Sequence, residues 1–74
     1  MAKAAPRLVI CIENDGYVAS LEKRKIYVAL ADRDAEQNKL MRVIDESGED
    51  YLYPESFFRP IELPAAVKKA VLAA

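Results

Sequence analysis

The sequence predicts a mainly β fold: a five-stranded small barrel followed by a short C-terminal α-helix. Three observations carry that expectation. Short runs of β-forming residues recur between positions 7 and 63. Turn signals separate them, at Asn14-Asp15-Gly16, around Gly48 and at Pro54. The one stretch with helical spacing starts at Pro64. At 74 residues the chain is expected to form a single domain. A domain of this size buries only roughly 60–65% of the surface its unfolded chain exposes, so its stability is marginal.

Residues 1–6, MAKAAP, read as a flexible lead-in, residues 7–63 as the barrel and residues 64–73 as the helix. The run RLVICI (7–12) is short and rich in β-branched residues, which suits a strand buried on both faces. The NDG turn follows, and YVASLEKRK (17–25) is irregular or weakly extended. KIYVAL (25–30) alternates, with Ile26, Val28 and Leu30 on one face and Tyr27 and Ala29 on the other. ADRDAEQNK (31–39) has no apolar residue larger than alanine, so it reads as a polar connection in which Asp32 caps at most one helical turn. LMRVID (40–45) and DYLYP (50–54) flank Ser47-Gly48-Glu49 and form a hairpin. Pro54 ends its second strand, ESFF makes one tight turn, and RPIEL is a last strand kept at an edge by Pro60. In PAAVKKAVLAA, Pro64 suits a first helical position, and Val67 and Val71 lie one turn apart opposite Lys68 and Lys69. Eleven residues do not hold a helix alone in water, so this stripe is expected to dock on the barrel or on another copy.

The composition excludes several functions. There is no histidine, and the one cysteine, Cys11, lies in an apolar run with no base or cation beside it. A zinc site of Cys and His, an internal disulfide and a Cys–His nucleophile are therefore all excluded. Ser20, Ser47 and Ser56 sit in turn-like settings, and two glycines cannot make a phosphate loop. A barrel this small offers no deep, dry pocket to raise a carboxyl pKa. No enzymatic activity, cofactor or metal site is expected. The free thiol and the lack of an export signal point to the cytoplasm, and no segment approaches a membrane span.

The informative stretch is DESGEDYLYPESFF (45–58), where Asp45, Glu46, Glu49 and Asp50 crowd a turn and four rings follow. The acids do not have the spacing of a calcium loop and read as a solvated hairpin tip. Tyr51 and Tyr53 alternate with Leu52. One assignment buries Leu52 and leaves both tyrosines outside, and the other buries both rings; tyrosine tolerates a half-wet surface, which favours Leu52 inside, with one of Phe57 and Phe58 in the core. Tyr51, Tyr53, Pro54 and Phe57 then form an aromatic ledge, joined by Tyr17, with Glu49, Asp50 and Glu55 as an acidic rim.

The order of these elements resembles an SH3 domain over roughly residues 8 to 60. YLYPESFF is similar to the SH3 segment of aromatic, proline, two small or polar residues and aromatic. The resemblance implies that Pro54 and Phe57 line a peptide groove. The chain departs from SH3 domains in having no tryptophan, with Leu40 and Met41 at that place, and in carrying Val9 to Ile12 in place of groove tyrosines. Arg24 stands where SH3 domains usually have a turn glycine. CIENDGYVASL (11–21) with DESGEDYLYP (45–54) resembles, more closely, a group of small bacterial SH3-like proteins, a likeness that implies the fold and no activity.

Two roles remain beside a non-catalytic module for a protein or short peptide. Lys23, Arg24 and Lys25 form a basic run of the kind that RNA- and DNA-binding SH3-like barrels use, but 11 basic against 12 acidic residues gives no general attraction to phosphate. Alternatively, the Val67–Val71 stripe or the edge at 58–63 meets a second copy in a self-assembling, homo-oligomeric subunit.

Overall fold

A computed structural model describes residues 6–73; the expected lead-in therefore lies, but for Pro6, outside the described residues. Five antiparallel strands form one sheet: β1 (Arg7–Cys11), β2 (Ile26–Leu30), β3 (Leu40–Ile44), β4 (Asp50–Pro54) and β5 (Phe58–Pro60). They lie in the order β4-β3-β2-β1-β5. The outermost strands, β4 and β5, are joined only by a 3₁₀ turn, Glu55–Phe57. In a flat sheet they would stand about 19 Å apart at the usual strand spacing. A 3₁₀ connection this short advances only about 8 Å, so the sheet curls into a half-barrel.

The concave side holds the core. Val9, Cys11, Leu21, Tyr27, Ala29, Val43, Tyr53 and Phe58 are buried together, with Met41 and Phe57 packed against them. Register explains the selection: Val9 faces Tyr27, Ala29 faces Val43 and Met41 faces Tyr53 across the ladders. Residues between them, including Ile10, Ile26, Val28 and Ile44, point to the other side and are half-buried. Burial pushes the Cys11 thiol pKa up, as suits a small core hydrophobe.

Three local features depart from or sharpen the expectations. The segment 12–25 is a compact run of turns. Its Leu21 is buried in the core, and its backbone is tied by Ile12 N–H to the Phe57 carbonyl at 2.8 Å and Arg24 N–H to the Cys11 carbonyl at 2.8 Å. Arg24 adopts φ 70°, the left-handed conformation that a turn glycine usually fills. The polar connection forms a one-turn helix, α1 (Arg33–Gln37), with Asp32 accepting from the Ala35 amide at 3.0 Å.

The C-terminal helix, α2 (Ala65–Ala73), starts just after Pro64, and the Lys68 amide reaches the Pro64 carbonyl at 2.9 Å. None of its nine residues is buried. Val71 and Lys68 are half-buried, whereas Val67 and Leu72 are exposed, so the docking expected of its stripe is partial.

Candidate functional site

The β3–β4 hairpin contradicts the expected facing of its second strand. Tyr53 is 3% exposed and Leu52 40%. The reason lies in Asp45. The Tyr53 hydroxyl donates to the Asp45 carboxylate, so the ring is buried with its polar end satisfied. Leu52 faces the convex side opposite Arg42. Phe58 is in the core and Phe57 is half-buried, in line with the expectation that one of the two rings is internal.

Asp45 itself is only 7% exposed, although it reads in sequence as part of a solvated tip. Its Oδ1 accepts from the Ser47 amide at 2.8 Å and from the Ser47 hydroxyl at 2.6 Å, a side-chain-closed turn. Its amide donates to the Glu49 carbonyl at 3.0 Å, and the Gly48 amide donates to its carbonyl at 3.0 Å. Burial works against the carboxylate, yet the bonds from Ser47 and Tyr53 hold its pKa below the usual range. Burial and the Asp45 partner push Tyr53 up to about 12.

Two of the other three tip acids are also engaged. Glu46 receives the Tyr27 hydroxyl and pairs with Lys25 at 2.6 Å, and these two partners keep its carboxyl below the ordinary value. Burial, then the Glu46 bond, raises the Tyr27 hydroxyl pKa. Asp50 binds Arg42 Nη1 at 2.8 Å, while Arg42 Nε binds Asp32 at 2.8 Å. Glu49 is exposed and takes no part in an ion pair among the described residues.

What these placements leave open is a groove of about 380 Å³ between the 12–25 segment and the hairpin. Tyr17, Tyr51 and Tyr53 line it, with Ser20, Asp45, Ser47 and Leu52. Tyr17 stands edge-on to Tyr53, ring centres 5.0 Å apart and planes at 89°, and also contacts Phe57 at 6.0 Å. Tyr17 and Tyr51 are 41% and 50% exposed. The Glu46 amide donates to the Ser20 carbonyl at 3.1 Å, which fixes the segment against the hairpin.

The expected site residues are thus partly gathered and partly dispersed. Tyr17, Tyr51 and Tyr53 meet in the groove, with Tyr53 as its buried wall. Pro54 is half-buried at the end of β4, and Phe57 supports Tyr17 from behind the groove. Glu55 belongs to a different concavity, with Arg7 and Met41, and Asp50 is turned to Arg42. Of the basic run, Lys23 and Arg24 are exposed, and Lys25 is held by Glu46. Sequence reasoning overlooked Asp45, Ser20 and Leu21. For Asp45 a signal existed: Asp-x-Ser-Gly is the pattern of a turn closed by its own aspartate.

Neither a protein family, nor a curated protein, nor a solved structure matches the chain. Among the described residues, no helix is long and apolar enough to cross a membrane.

Proposed function

We propose that the protein is a non-catalytic interaction module that holds a short peptide segment of a partner protein in the Tyr17–Tyr51–Tyr53 groove. The observation that carries this reading is the pair of half-exposed rings, Tyr17 and Tyr51, on either side of a concavity whose buried polar groups, Asp45 and Tyr53, are bonded to each other. Among the described residues no buried side-chain nitrogen or oxygen lacks a partner. Rings that shed water on a rigid frame are the usual anchors of peptide recognition, because two torsions fix a large contact area. The frame is rigid here: Tyr17 leans on two other rings, and Tyr51 rises from a paired strand.

Selection from a displayed peptide library tests the reading, followed by amide-shift mapping of a selected peptide on the labelled protein. The expected result is saturable shifts at Ser20, Ser47 and Tyr51, with binding at least about tenfold weaker in Tyr51→Ala, a typical cost for an anchoring ring. Failure to enrich any peptide, or shifts confined to other surfaces, would overturn it.

A second reading is favoured by α2, which leaves Val67 46% and Leu72 39% exposed. It makes the protein a self-associating subunit covered there by a second copy. Sedimentation across a wide concentration range decides it: a mass that stays monomeric removes this reading.

A further inference from the structure

The groove has a floor as well as walls. Tyr51 and Tyr53 line it from one face of β4 and Leu52 from the other, so it runs along the outer edge of that strand. Strand β4 is outermost in the sheet, with β3 on one side and no strand on the other. The register fixes which backbone groups face that open side. Beyond the two ends of the ladder, the Asp45 amide donates to the Glu49 carbonyl and the Glu55 amide to the Lys39 carbonyl, both at 3.0 Å. Hydrogen-bonded and non-bonded pairs alternate along an antiparallel ladder. Val43–Tyr51 and Met41–Tyr53 are therefore the bonded pairs between those ends, and Ile44–Asp50 and Arg42–Leu52 are non-bonded. Asp50 and Leu52 thus each turn an N–H and a carbonyl away from β3, and among the described residues these four groups bond to no other backbone or side chain.

This edge also lacks the devices that keep sheet edges apart. The other outer strand, β5, has Arg59 and Pro60 among its three residues. Between Asp50 and Pro54, β4 presents Tyr51, Leu52 and Tyr53, with no charge, proline or bulge. The single charge in the groove lining, Asp45, is buried and bonded to Ser47 and Tyr53. What the groove has to offer a partner is therefore unpaired backbone beside apolar surface.

From this arrangement we infer that the partner segment binds as an added β-strand on the β4 edge, extended and uncharged at its centre. The inference rests on the peptide-module reading and names the conformation and chemistry of its ligand. In either chain direction, alternate residues of the segment pair their backbone with Leu52 and Asp50. Alternate side chains fall on the ring side, beside Tyr51 and Tyr53 with Tyr17 against them, and the others fall beside Leu52. Aromatic and β-branched side chains suit both rows, because cross-strand pairs of these types stabilise a ladder. A proline-rich segment does not suit them: it lacks the N–H groups that the outward carbonyls of Asp50 and Leu52 would accept.

The probe for the test is the most enriched peptide of a random display library, bound to the intact labelled protein. At saturation, solvent exchange of the Asp50 and Leu52 amides should slow at least about tenfold, the worth of one net hydrogen bond. The Tyr51 and Tyr53 amides, already held by β3, should change much less. Methylating the peptide's amide nitrogens one at a time should weaken binding at least about tenfold at every second position in the groove, and by no more than about twofold between them. Leu52→Pro removes an outward N–H without touching the ladder to β3, so the fold should persist while binding falls at least about tenfold. If that variant does not fold, the methylation series on the parent protein still decides. Unslowed exchange at Leu52 in the saturated complex, a methylation series without alternation, or enrichment of proline-rich peptides would overturn strand addition and leave the peptide module standing. Slow Leu52 exchange in a peptide-free dimer would also overturn it, by giving the edge to a second copy. Failure to enrich any peptide would remove the module and the added strand with it.

Discussion

The tip of the β3–β4 hairpin and the C-terminal helix are both short, local segments, yet they are held by opposite means. The tip is made of polar residues, and nearly all of them find partners: Asp45 takes Ser47 and Tyr53, Glu46 takes Lys25 and Tyr27, and Asp50 takes Arg42. Helix α2 is made of alanine, valine and leucine apart from Lys68 and Lys69, and none of its residues is buried. Hydrophobic composition therefore predicts burial poorly at the edge of a small domain, and acidic composition predicts exposure poorly at a turn. What decides is whether the backbone brings a partner within reach.

The largest expected difference between the two regions comes from removing apolar volume. Phe58 lies in the core between Tyr27 and Tyr53, at ring distances of 6.5 and 6.3 Å. Phe58→Ala should cost about 3–5 kcal/mol through lost burial and a cavity. Total stability for a domain of this length is roughly 4–11 kcal/mol, so the variant should be largely unfolded under mild urea. A midpoint within experimental error of the parent would mean that the aromatic cluster does not organise the barrel.

The next effect comes from the polar side of the comparison. Tyr53→Phe removes one donor from the buried Asp45 carboxylate and should cost about 1–3 kcal/mol by urea titration at pH 7. Its pH dependence has a defined sign. The Asp45 pKa is lowered in the folded protein, so its contribution is present above the ordinary aspartate value, 3.8, and is lost as pH falls through the lower folded value. The Tyr53 pKa is raised from 10.0 to about 12, so its contribution is complete below 10 and is lost as pH rises through 12. Tyr53→Phe should flatten the stability profile at both ends. An unchanged acid limb in the variant would show that Ser47 alone holds the Asp45 carboxylate.

A smaller effect separates two of the four left-handed positions among the described residues. Gly48 sits at φ 84°, and a Cβ there would meet nothing within 4 Å, so Gly48→Ala should be destabilising by about 1 kcal/mol from backbone conformation alone. Arg24 already bears that conformational cost at φ 70°. Arg24→Gly should therefore shift stability less than Gly48→Ala does and in the opposite direction, as measured by thermal unfolding. Loss of stability in Arg24→Gly would mean that the Arg24 side chain contributes more than its turn costs.

The two regions also show how far the sequence was legible. Strand order in the chain, the hairpin around Gly48, the cap at Asp32 and the helix after Pro64 all rest on local patterns, and the structure contains each of them. The inward face of β4 was not legible, because Tyr-Leu-Tyr alternates equally well in either sense. The choice turned on a hydroxyl meeting a carboxylate eight residues away. The groove was half legible for the same reason. Tyr17 and Tyr51 stand out as rings in polar surroundings, whereas the role of Asp45 depends on the turn that folds its side chain back over Ser47. Leu21 gives no local signal that sets it apart from its neighbours: it stands between Val18-Ala19-Ser20 and the charged run 22–25, and it enters the core because the turns of the 12–25 segment carry it there, while Val18 stays exposed.

The smallest expected effect sharpens the comparison most, because it concerns what covers α2. Val67→Ser and Leu72→Ser alter side chains that are already 46% and 39% exposed, so in the monomer each should change stability by no more than about 0.5 kcal/mol. A second copy over this helix changes the arithmetic, because assembly stabilises the folded chain by mass action and the gain grows with protein concentration. Urea midpoints of parent and Val67→Ser, compared at two concentrations a hundredfold apart, separate the cases. Midpoints that coincide at both concentrations leave the helix an exposed appendage on a barrel that is stable without it. A parent midpoint that rises with concentration while that of Val67→Ser stays fixed makes the helix an interface, and gives its unburied stripe the partner that the barrel only partly supplies.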